Sequence, residues 1–587
     1  MSPCLHGLGM DKRQVANILD EIGTLLELQG ESSFRSQAYH NAARAIDQLE
    51  EDLTQVWSSG RLGSIRGIGQ TMEEKISTLL RTGELPFYTQ LRQKTPPGLL
   101  QMLRLPGLGP KKVKALYDQL GIQDLEQLRQ ACAHGQVAEL KGFGAKTQQK
   151  ILEGIDFLSE AGTRVRLDQA LDLAAELLDG LRTAPGIQRM ELCGSLRRRK
   201  EVIQDIDILI SSEDAAPIMR QFIGLPAGVQ VVGHGPTKSS IVVERSLSSG
   251  KRVRMNADLR VVRDEQFPLA LHYFTGSKEH NIAMRARAQH YGLKLSEYEL
   301  AGPKHRVVCK DEADLFRALE LDPIAPEMRE HTGEIEAAAE HRLPTLVEAE
   351  DLQGTFHCHT SWSDGAATVR EMAEAAKRLG FKYLGIADHS QSLTVANGLS
   401  PDRVRRQQEE IDEVEAHVHG ITLFKGTECD ILADGQLDYD DALLETFDYV
   451  VASVHSHFNQ SQSEMTERIV RAVRHPRVTM LGHATGRLLL RRDGYKVDLE
   501  AVLHAAAETG TLVEINAHPQ RLDIDWIHCK RAKALGVRLV INPDAHNVED
   551  LGYVSFGIDV ARRGWLEKKD IFNTQSTAAV TRAFSAR

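Results

Sequence analysis

Apolar residues recur along this chain with two different spacings, and the change from one to the other divides it. Up to about residue 160 the spacing is helical, as in VANILDEIGTLLELQG (residues 15–30), where apolar positions return every three or four residues without strict alternation. From Arg166 onward the pattern is mixed. QDIDILI (204–210), VQVVG (229–233), SIVVE (240–244) and RVRMNADLRVV (252–262) read as strands between helical or polar stretches. An acidic, alanine-rich segment containing EIEAAAEHRLPTLVEAED (334–351) reads as a connector holding a helix. Beyond it, seven short apolar runs alternate with helical segments: GTFH, YLGIAD, ITLFKGTE, YVVASVH, VTMLGH, TLVEINAH and RLVINPDAH. Such alternation predicts a parallel barrel.

Composition narrows the class without changing this layout. At 587 residues and 42% hydrophobic content the chain can bury several cores, on the order of four domains of about 150 residues. No apolar run reaches the roughly 18 residues of a membrane span, and the opening MSPCLHGLGMDKRQ lacks the apolar stretch of a secretory signal. A cytoplasmic protein with no membrane partner is expected. The cysteines (Cys4, Cys132, Cys193, Cys309, Cys358, Cys429, Cys529) form no CxxC pair, which fits reduced thiols. The net charge of −11 gives the whole surface no attraction for nucleic acid. Residues 91–150, however, hold ten basic side chains against four acidic ones, an excess of six that suits a phosphate backbone.

Three GxG corners punctuate the helical region: Gly67 and Gly69, Gly107 and Gly109, and Gly142 and Gly144. Each precedes a helix-forming stretch. Glycine lets a phosphate approach the backbone and the free N–H groups of the next helix. A lone copy serves equally well as a steric corner between helices; three copies, two of them in the basic window, favour helix-hairpin-helix elements that grip DNA without reading bases.

In the mixed region, Asp205 and Asp207 stand at i and i+2 of an apolar strand and share a face, with Ile206 and Ile208 on the other. Adjacent carboxylates repel, and oxygen donors of this kind suit Mg²⁺ or Mn²⁺; Asp258, in a second strand-like run, could complete the site. A solvated edge strand is the alternative for a DxD alone. Gly194 and Ser195 offer a tight loop, and Arg197, Arg198, Arg199 and Lys200 put four cations close by in sequence, an arrangement that suits a metal-bridged triphosphate. In YFTGSKEHNIAMRARA (273–288), Asn281 and Arg285 lie four apart on one helix face.

GSLRRRKEVIQDID, NADLRVV and YFTGSKEHNIAMR resemble the palm and thumb of family X DNA polymerases, and with the helical region the resemblance covers residues 1 to about 320. It implies two Mg²⁺ or Mn²⁺ ions on Asp205, Asp207 and Asp258, and a triphosphate at Gly194, Ser195 and Arg198. It further implies a deoxyribose against Tyr273 and Phe274 at Gly276, base contact by Asn281 and template contact by Arg285. The first residues resemble that family's lyase domain, which implies a Schiff-base lysine at Lys75 with Arg35 and Tyr39 on the DNA. Phe34 and Thr71 depart from the family's 5′-phosphate pocket.

The late runs end in possible ligands: His357, His359 and Asp364, then His389, Glu428, His455, His483, and Asp544 with His546. Lone histidines are mostly core or surface residues, but strand ends of a parallel barrel converge on one mouth. HCHTSWSDG, ADHS, GTECD, SVHSH, GHATG and NPDAH resemble the PHP (polymerase and histidinol phosphatase) family over about residues 351–570. That implies a distorted (β/α)₇ barrel in which these nine residues bind up to three Mn, Zn or Fe ions. His457 and His518 fall outside the set, and Cys358 is expected to be buried.

The expected architecture is a helical lyase-like domain (1–85), helix-hairpin-helix fingers (86–160), an α/β nucleotidyltransferase palm (161–261), a small thumb (262–322), a linker (323–350) and the PHP barrel (351–587). The expected activity is short-gap filling on gapped or primer-template DNA with dNTPs, by a nucleoid-associated monomer. A Mn²⁺-dependent 3′→5′ exonuclease, and cleavage at abasic sites, are expected of the barrel. A DNA-binding repair scaffold and a phosphatase of small esters are the alternatives.

Overall fold

The change of spacing is also a structural boundary, since the chain forms two compact units, residues 1–163 and residues 164–587. The computed structural model describes residues 12–47, 49, 53–65, 67–103, 105, 108–160, 164–246, 252–303 and 306–586. Cys4 and Gly107 lie outside the described residues.

The described part of the first unit is helical throughout. Helix α1 (Lys12–Gln29) lays Leu19, Ile22 and Leu26 against Ala42, Ala43 and Ile46 of α2 (Ser33–Asp47), with Ile76 and Leu79 of α3 (Gln70–Thr82) closing the same core. A second core gathers Val113 and Leu116 of α4 (Pro110–Leu120) with Leu128, Phe143 and Ile151, the last from α5 (Gly144–Glu160). The apolar stripes read from sequence are these two buried faces.

In the second unit a five-stranded sheet comes first: β1 (Arg189–Leu192), β2 (Asp205–Ser211), β3 (Gly228–His234), β4 (Lys238–Ser246) and β5 (Arg252–Val262) in the order β1-β2-β5-β4-β3. Only β2 and β5 run parallel, with Asp207 opposite Asp258. Between β1 and β2 lies a four-residue helix, α6 (Gly194–Arg197). After β5 follow α7 (Phe267–Thr275) and α8 (Lys278–His290), then a small three-stranded antiparallel sheet. Residues 323–350 differ from the connector expected. They do hold a helix, α9 (Glu334–Ala339), but Ile324, Met328, Ile335, Ala338 and Leu346 are buried in the thumb core, so the segment joins domains by packing.

The seven apolar runs are seven parallel strands in sequence order: β6 (Gly354–Cys358), β7 (Tyr383–Ile386), β8 (Thr422–Asp430), β9 (Tyr449–Ser453), β10 (Met480–Leu481), β11 (Leu512–Asn516) and β12 (Leu539–Asn542). Thr355 Oγ1 donates to the Ile541 carbonyl at 3.0 Å and Cys358 bridges Ala545, so the barrel is nearly closed. Its interior at the strand starts is filled by Phe356, Tyr383, Phe424, Tyr449 and Phe572, with Phe584 of the final helix, α11 (Thr577–Ser585), packed among them. With that end filled, the strand C-termini form the open mouth. Helix α10 (Val554–Arg563) packs on the barrel and carries Phe556 against the palm core.

Candidate metal and nucleotide sites

At the barrel mouth the expected ligands converge. Glu428 Oε1 lies 3.2 Å from His357 Nε2, 3.2 Å from His455 Nε2 and 2.9 Å from His483 Nε2, and its Oε2 lies 2.9 Å from His389 Nδ1 and 3.6 Å from His359 Nε2. Asp544 Oδ1 stands 3.3 Å from His359 Nε2, and Asp364 Oδ2 stands 3.5 Å from His546 Nε2. Ligand atoms within 4.8 Å of one another fall into three groups: His359, Asp364, His389 and His546; His357, His359 and Asp544; and His389, Glu428 and His455. His483, the ninth expected residue, joins through Glu428. His357 (φ 56°) and Asp544 (φ 53°) adopt left-handed backbone, strained for non-glycine residues, which turns these strand ends into the mouth.

The donor set fits divalent cations. His359 is fully buried, and its Nε2, like His357 Nε2 and His389 Nδ1, meets carboxylate oxygens of Asp544 or Glu428 without the alignment of a hydrogen bond. Buried nitrogens without hydrogen bonds need another partner, and imidazole with carboxylate suits Mn, Zn or Fe. Burial alone would push His389 and His455 down, but Glu428 beside each carries them up to about 10 and about 9. Burial, reinforced by His546 and His389, pushes His359 down to about 3. Burial opposes ionisation of Glu428 and Asp544, but His357 and its neighbours hold both carboxyls well below the usual range. Positive charge is therefore drawn to the space between them.

A shell of residues that sequence reasoning missed braces these groups. Glu514 accepts from His357 Nδ1 at 2.5 Å and from the His483 N–H at 2.7 Å, leaving His357 Nε2 for the mouth. Asp430 meets His455 Nδ1 at 2.5 Å, and Asn516 Nδ2 donates to Asp544 at 3.0 Å. Asp388 accepts from Thr360 and Ser363 in the loop that carries Asp364. Their signal was weak because a single acid in a strand, such as Glu514 in LVEIN, reads as an outward residue. Cys358 is buried against the barrel wall, whereas His457 is exposed and turned to Ser456.

The palm arranges its charges otherwise. Asp205 and Asp207 lie on one face of β2, with Ile206 and Ile208 in the core beneath. Burial, then Asp205 and Asp258, push Asp207 up to about 7. Asp258 Oδ2 is ion-paired to Lys238 Nζ at 2.7 Å, a cation that the sequence did not flag. The three carboxylates thus form no closed group of adjacent oxygens like those of the barrel. Gly194 (φ 63°) is required: a Cβ there would lie 2.2 Å from Asp207 Oδ2, so the loop passes directly over the carboxylate, tied by the Cys193 N–H to the Asp207 carbonyl at 2.8 Å.

The four cations beside this loop do not all face the carboxylates. Arg197 pairs with Glu312 at 2.7 Å, Arg198 with Glu330 at 3.0 Å, and Arg199 approaches Asp559 at 3.6 Å. Half-buried carboxylates distant in sequence claim these guanidinium groups, which local spacing cannot reveal. Tyr273 and Phe274 meet edge to face at 5.2 Å, and Arg260 lies over Phe274 at 4.5 Å. Asn281 Nδ2 donates to the carbonyls of Tyr273 and Gly276, while its Oδ1 is buried without a partner; Arg285 follows one turn on along α8.

In the first unit Lys75 Nζ sits 4.4 Å over the Phe87 ring, with Arg35 5.7 Å from it on the same ring and Tyr39 stacked at 6.2 Å. Phe87 was not anticipated, and Tyr39 differs from expectation in being 5% exposed, part of the core. Burial, then Arg35, lower the Lys75 amine. Gly69 and Gly109 share one conformation (φ −90° and −88°, both ψ 172°) at the starts of α3 and α4, and a Cβ at either would meet nothing within 4 Å. The third corner differs at its second glycine, since Gly144 is left-handed (φ 70°), whereas Gly142 (φ 92°) matches Gly67 (φ 97°) of the first. No helix among the described residues is long and apolar enough to cross a membrane.

A helix-hairpin-helix unit, a palm and thumb with paired aspartates, and a histidine-rich barrel define a nucleotidyltransferase that carries a second, metal-type centre. The chain matches the helix-hairpin-helix domain over residues 10–85, the SAM-like helix-hairpin-helix tandem over 99–156, the DNA polymerase beta thumb over 270–330 and the PHP domain over 355–518. It is 37% identical to the DNA polymerase/3′-5′ exonuclease PolX of Bacillus subtilis (strain 168) across 97% of this chain and 98% of that one. DNA polymerase lambda of Rattus norvegicus is 28% identical over 48% of each chain, and a probable phosphatase of Thermoanaerobacter sp. (strain X514) is 26% identical over 37% of this chain and 89% of its own. The chain belongs to the PolX family, family X DNA polymerases with a C-terminal PHP domain.

Proposed function

We propose that the protein fills short gaps in DNA from its palm and removes 3′-terminal nucleotides from its barrel, the helix-hairpin-helix corners gripping the duplex. The observation that carries this is the presence, within residues 164–587, of two separate sets of side chains with metal-ligand chemistry, the aspartates of β2 and β5 and the histidines and carboxylates of the barrel mouth. Divalent cations, Mg²⁺ or Mn²⁺ on Asp205, Asp207 and Asp258 and up to three Mn, Zn or Fe ions on the nine barrel residues, would supply Lewis acidity and charge neutralisation at phosphate oxygens. The chain's own groups do the rest. The Gly194 backbone and Ser195 hydroxyl receive the triphosphate, Arg198 turns to it from Glu330, and Tyr273 with Phe274 flanks the sugar at Gly276. Asn281 and Arg285 face the nascent pair and template. Asp258, once released by Lys238, accepts the primer hydroxyl proton.

Two double variants test the division of labour on a gapped duplex with Mn²⁺, with and without dNTPs. Asp205→Ala with Asp207→Ala should abolish incorporation and spare digestion; Asp544→Ala with His546→Ala should do the reverse. Loss of both activities in either variant would refute independent centres. A wild-type protein that binds DNA but does neither would be a scaffold, and one that hydrolyses p-nitrophenyl phosphate but not DNA a small-ester phosphatase; the relative matched by the barrel alone is named a probable phosphatase. We further assign Lys75 to abasic-sugar chemistry, since an amine lowered by burial is a better nucleophile. Borohydride trapping on an incised abasic duplex, lost in Lys75→Ala, tests it.

A further inference from the structure

The loop assigned above to the triphosphate is held from the barrel side of the molecule. Arg563 Nη1, at the end of α10, donates to the carbonyl oxygen of Arg198 at 2.6 Å and to Glu330 Oε1 at 3.2 Å. The same Glu330 oxygen accepts from Arg198 Nε at 3.0 Å, and Arg198 Nη1 donates to the Thr275 carbonyl at 2.7 Å, next to Tyr273 and Phe274. One turn earlier on α10, Asp559 reaches Arg199, whose backbone is left-handed (φ 57°). Arg563 itself is 2% exposed, with its guanidinium 5.3 Å from the Trp526 ring.

A buried guanidinium is a costly way to join two domains, because apolar side chains of similar volume would serve as well or better. What directed hydrogen bonds add is a fixed position. Here the position fixed is the backbone at Arg198, four residues after the glycine that passes over Asp207. Arg563 also shares Glu330 with Arg198, which weakens the hold of that carboxylate on the side chain expected to turn toward phosphate.

We propose that Arg563 and Asp559 are positioning residues for nucleotide binding in the palm, so that a helix of the barrel domain sets the affinity of the polymerase centre. This rests on the assignment of Gly194, Ser195 and Arg198 to the triphosphate. Without Arg563 the Arg198 carbonyl loses its donor and Arg198 closes on Glu330 alone; nucleotide affinity falls while the acidic residues on β2 and β5 stay in place.

Steady-state single-nucleotide gap filling by the full-length protein tests this, with Mn²⁺-dependent 3′ digestion and thermal unfolding measured on the same preparations. Arg563→Met should raise KM for dNTP about tenfold with kcat and digestion within about twofold of wild type, and Arg563→Lys should recover part of the loss. Asp559→Asn, which keeps the side-chain volume, should raise KM by about threefold. Unchanged KM in both Arg563→Met and Asp559→Asn overturns the proposal. So does a joint fall of kcat, digestion and Tm in Arg563→Met with no KM shift in Asp559→Asn, which would mark the contact as structural only. Failure of the wild-type protein to incorporate nucleotide at all would instead remove the polymerase reading beneath it.

Discussion

The barrel mouth and the palm face the same physical problem, keeping carboxylates close together, and resolve it in opposite ways. At the mouth Glu428 is enclosed by five histidines within 3.6 Å, and the rings are braced from behind by Glu514 and Asp430. In the palm Asp205 and Asp207 share a half-buried strand face that no histidine encloses, and Asp258 is ion-paired to Lys238. A braced, buried donor set is organised before any ligand arrives, whereas carboxylates that repel one another gather only when cations come with a substrate. The barrel should therefore hold metal in the resting protein and the palm only in the presence of nucleotide.

The sharpest way to break that contrast is Glu428→Gln, which keeps the shape and removes the charge common to all five histidines. Metal content measured on the purified protein should drop, and 3′ digestion should fall on the order of 10³-fold, with incorporation unchanged. Metal retained at wild-type levels would show that Glu428 is not a ligand. Next in size are the braces. Glu514→Gln and Asp430→Asn should each cost about 10- to 100-fold in metal affinity or digestion, because a ligand ring that loses its carboxylate partner also loses its fixed tautomer. An effect under twofold in both would mean that the mouth is held by its ligands alone.

The same contrast separates what was legible in the sequence from what was not. The seven barrel strands were legible because each is a short apolar run, and the nine convergent residues because they recur at run ends. Asp205, Asp207 and Asp258 were legible from strand alternation. The bracing residues were not, because their meaning depends on a partner far along the chain: Glu514 lies 157 residues from His357 and Glu330 132 from Arg198. Lys238 opens a strand like many surface lysines, and only its antiparallel neighbour β5 brings Asp258 within reach. The segment 323–350 misled for a different reason: its polar, alanine-rich composition suggests a connector, while Ile324, Met328, Ile335, Ala338 and Leu346 are buried in the thumb core and Val347 in that of the barrel.

A third prediction uses the protonation of the palm. Burial with Asp205 and Asp258 raises Asp207 to about 7, so at pH 6 a proton occupies the site that a cation must take. Below that pKa, apparent Mg²⁺ affinity in the presence of a non-hydrolysable dNTP should rise by up to about tenfold per pH unit, levelling above about pH 8. Calorimetry in buffers of different ionisation enthalpy would detect the released proton. Affinity flat between pH 6 and 8 would show that Asp207 is ionised without the cation, and the palm would then be as ready for metal as the barrel.

The smallest expected effect bears on the contrast most directly. If the palm is open because Lys238 neutralises Asp258, Lys238→Met should move it toward the barrel's behaviour. The lysine side chain is 44% exposed, so the pair is worth only about 0.2–1 kcal/mol, and Mn²⁺ affinity without nucleotide should tighten by no more than about fivefold. The gain should shrink in high salt, which screens a half-exposed cation. With nucleotide bound the variant and wild type should bind Mn²⁺ equally, since the substrate phosphates then dominate the local charge. Weaker Mn²⁺ binding by the variant would mean that Lys238 aligns Asp258 for the cation instead of competing with it, and the palm would count as preorganised after all.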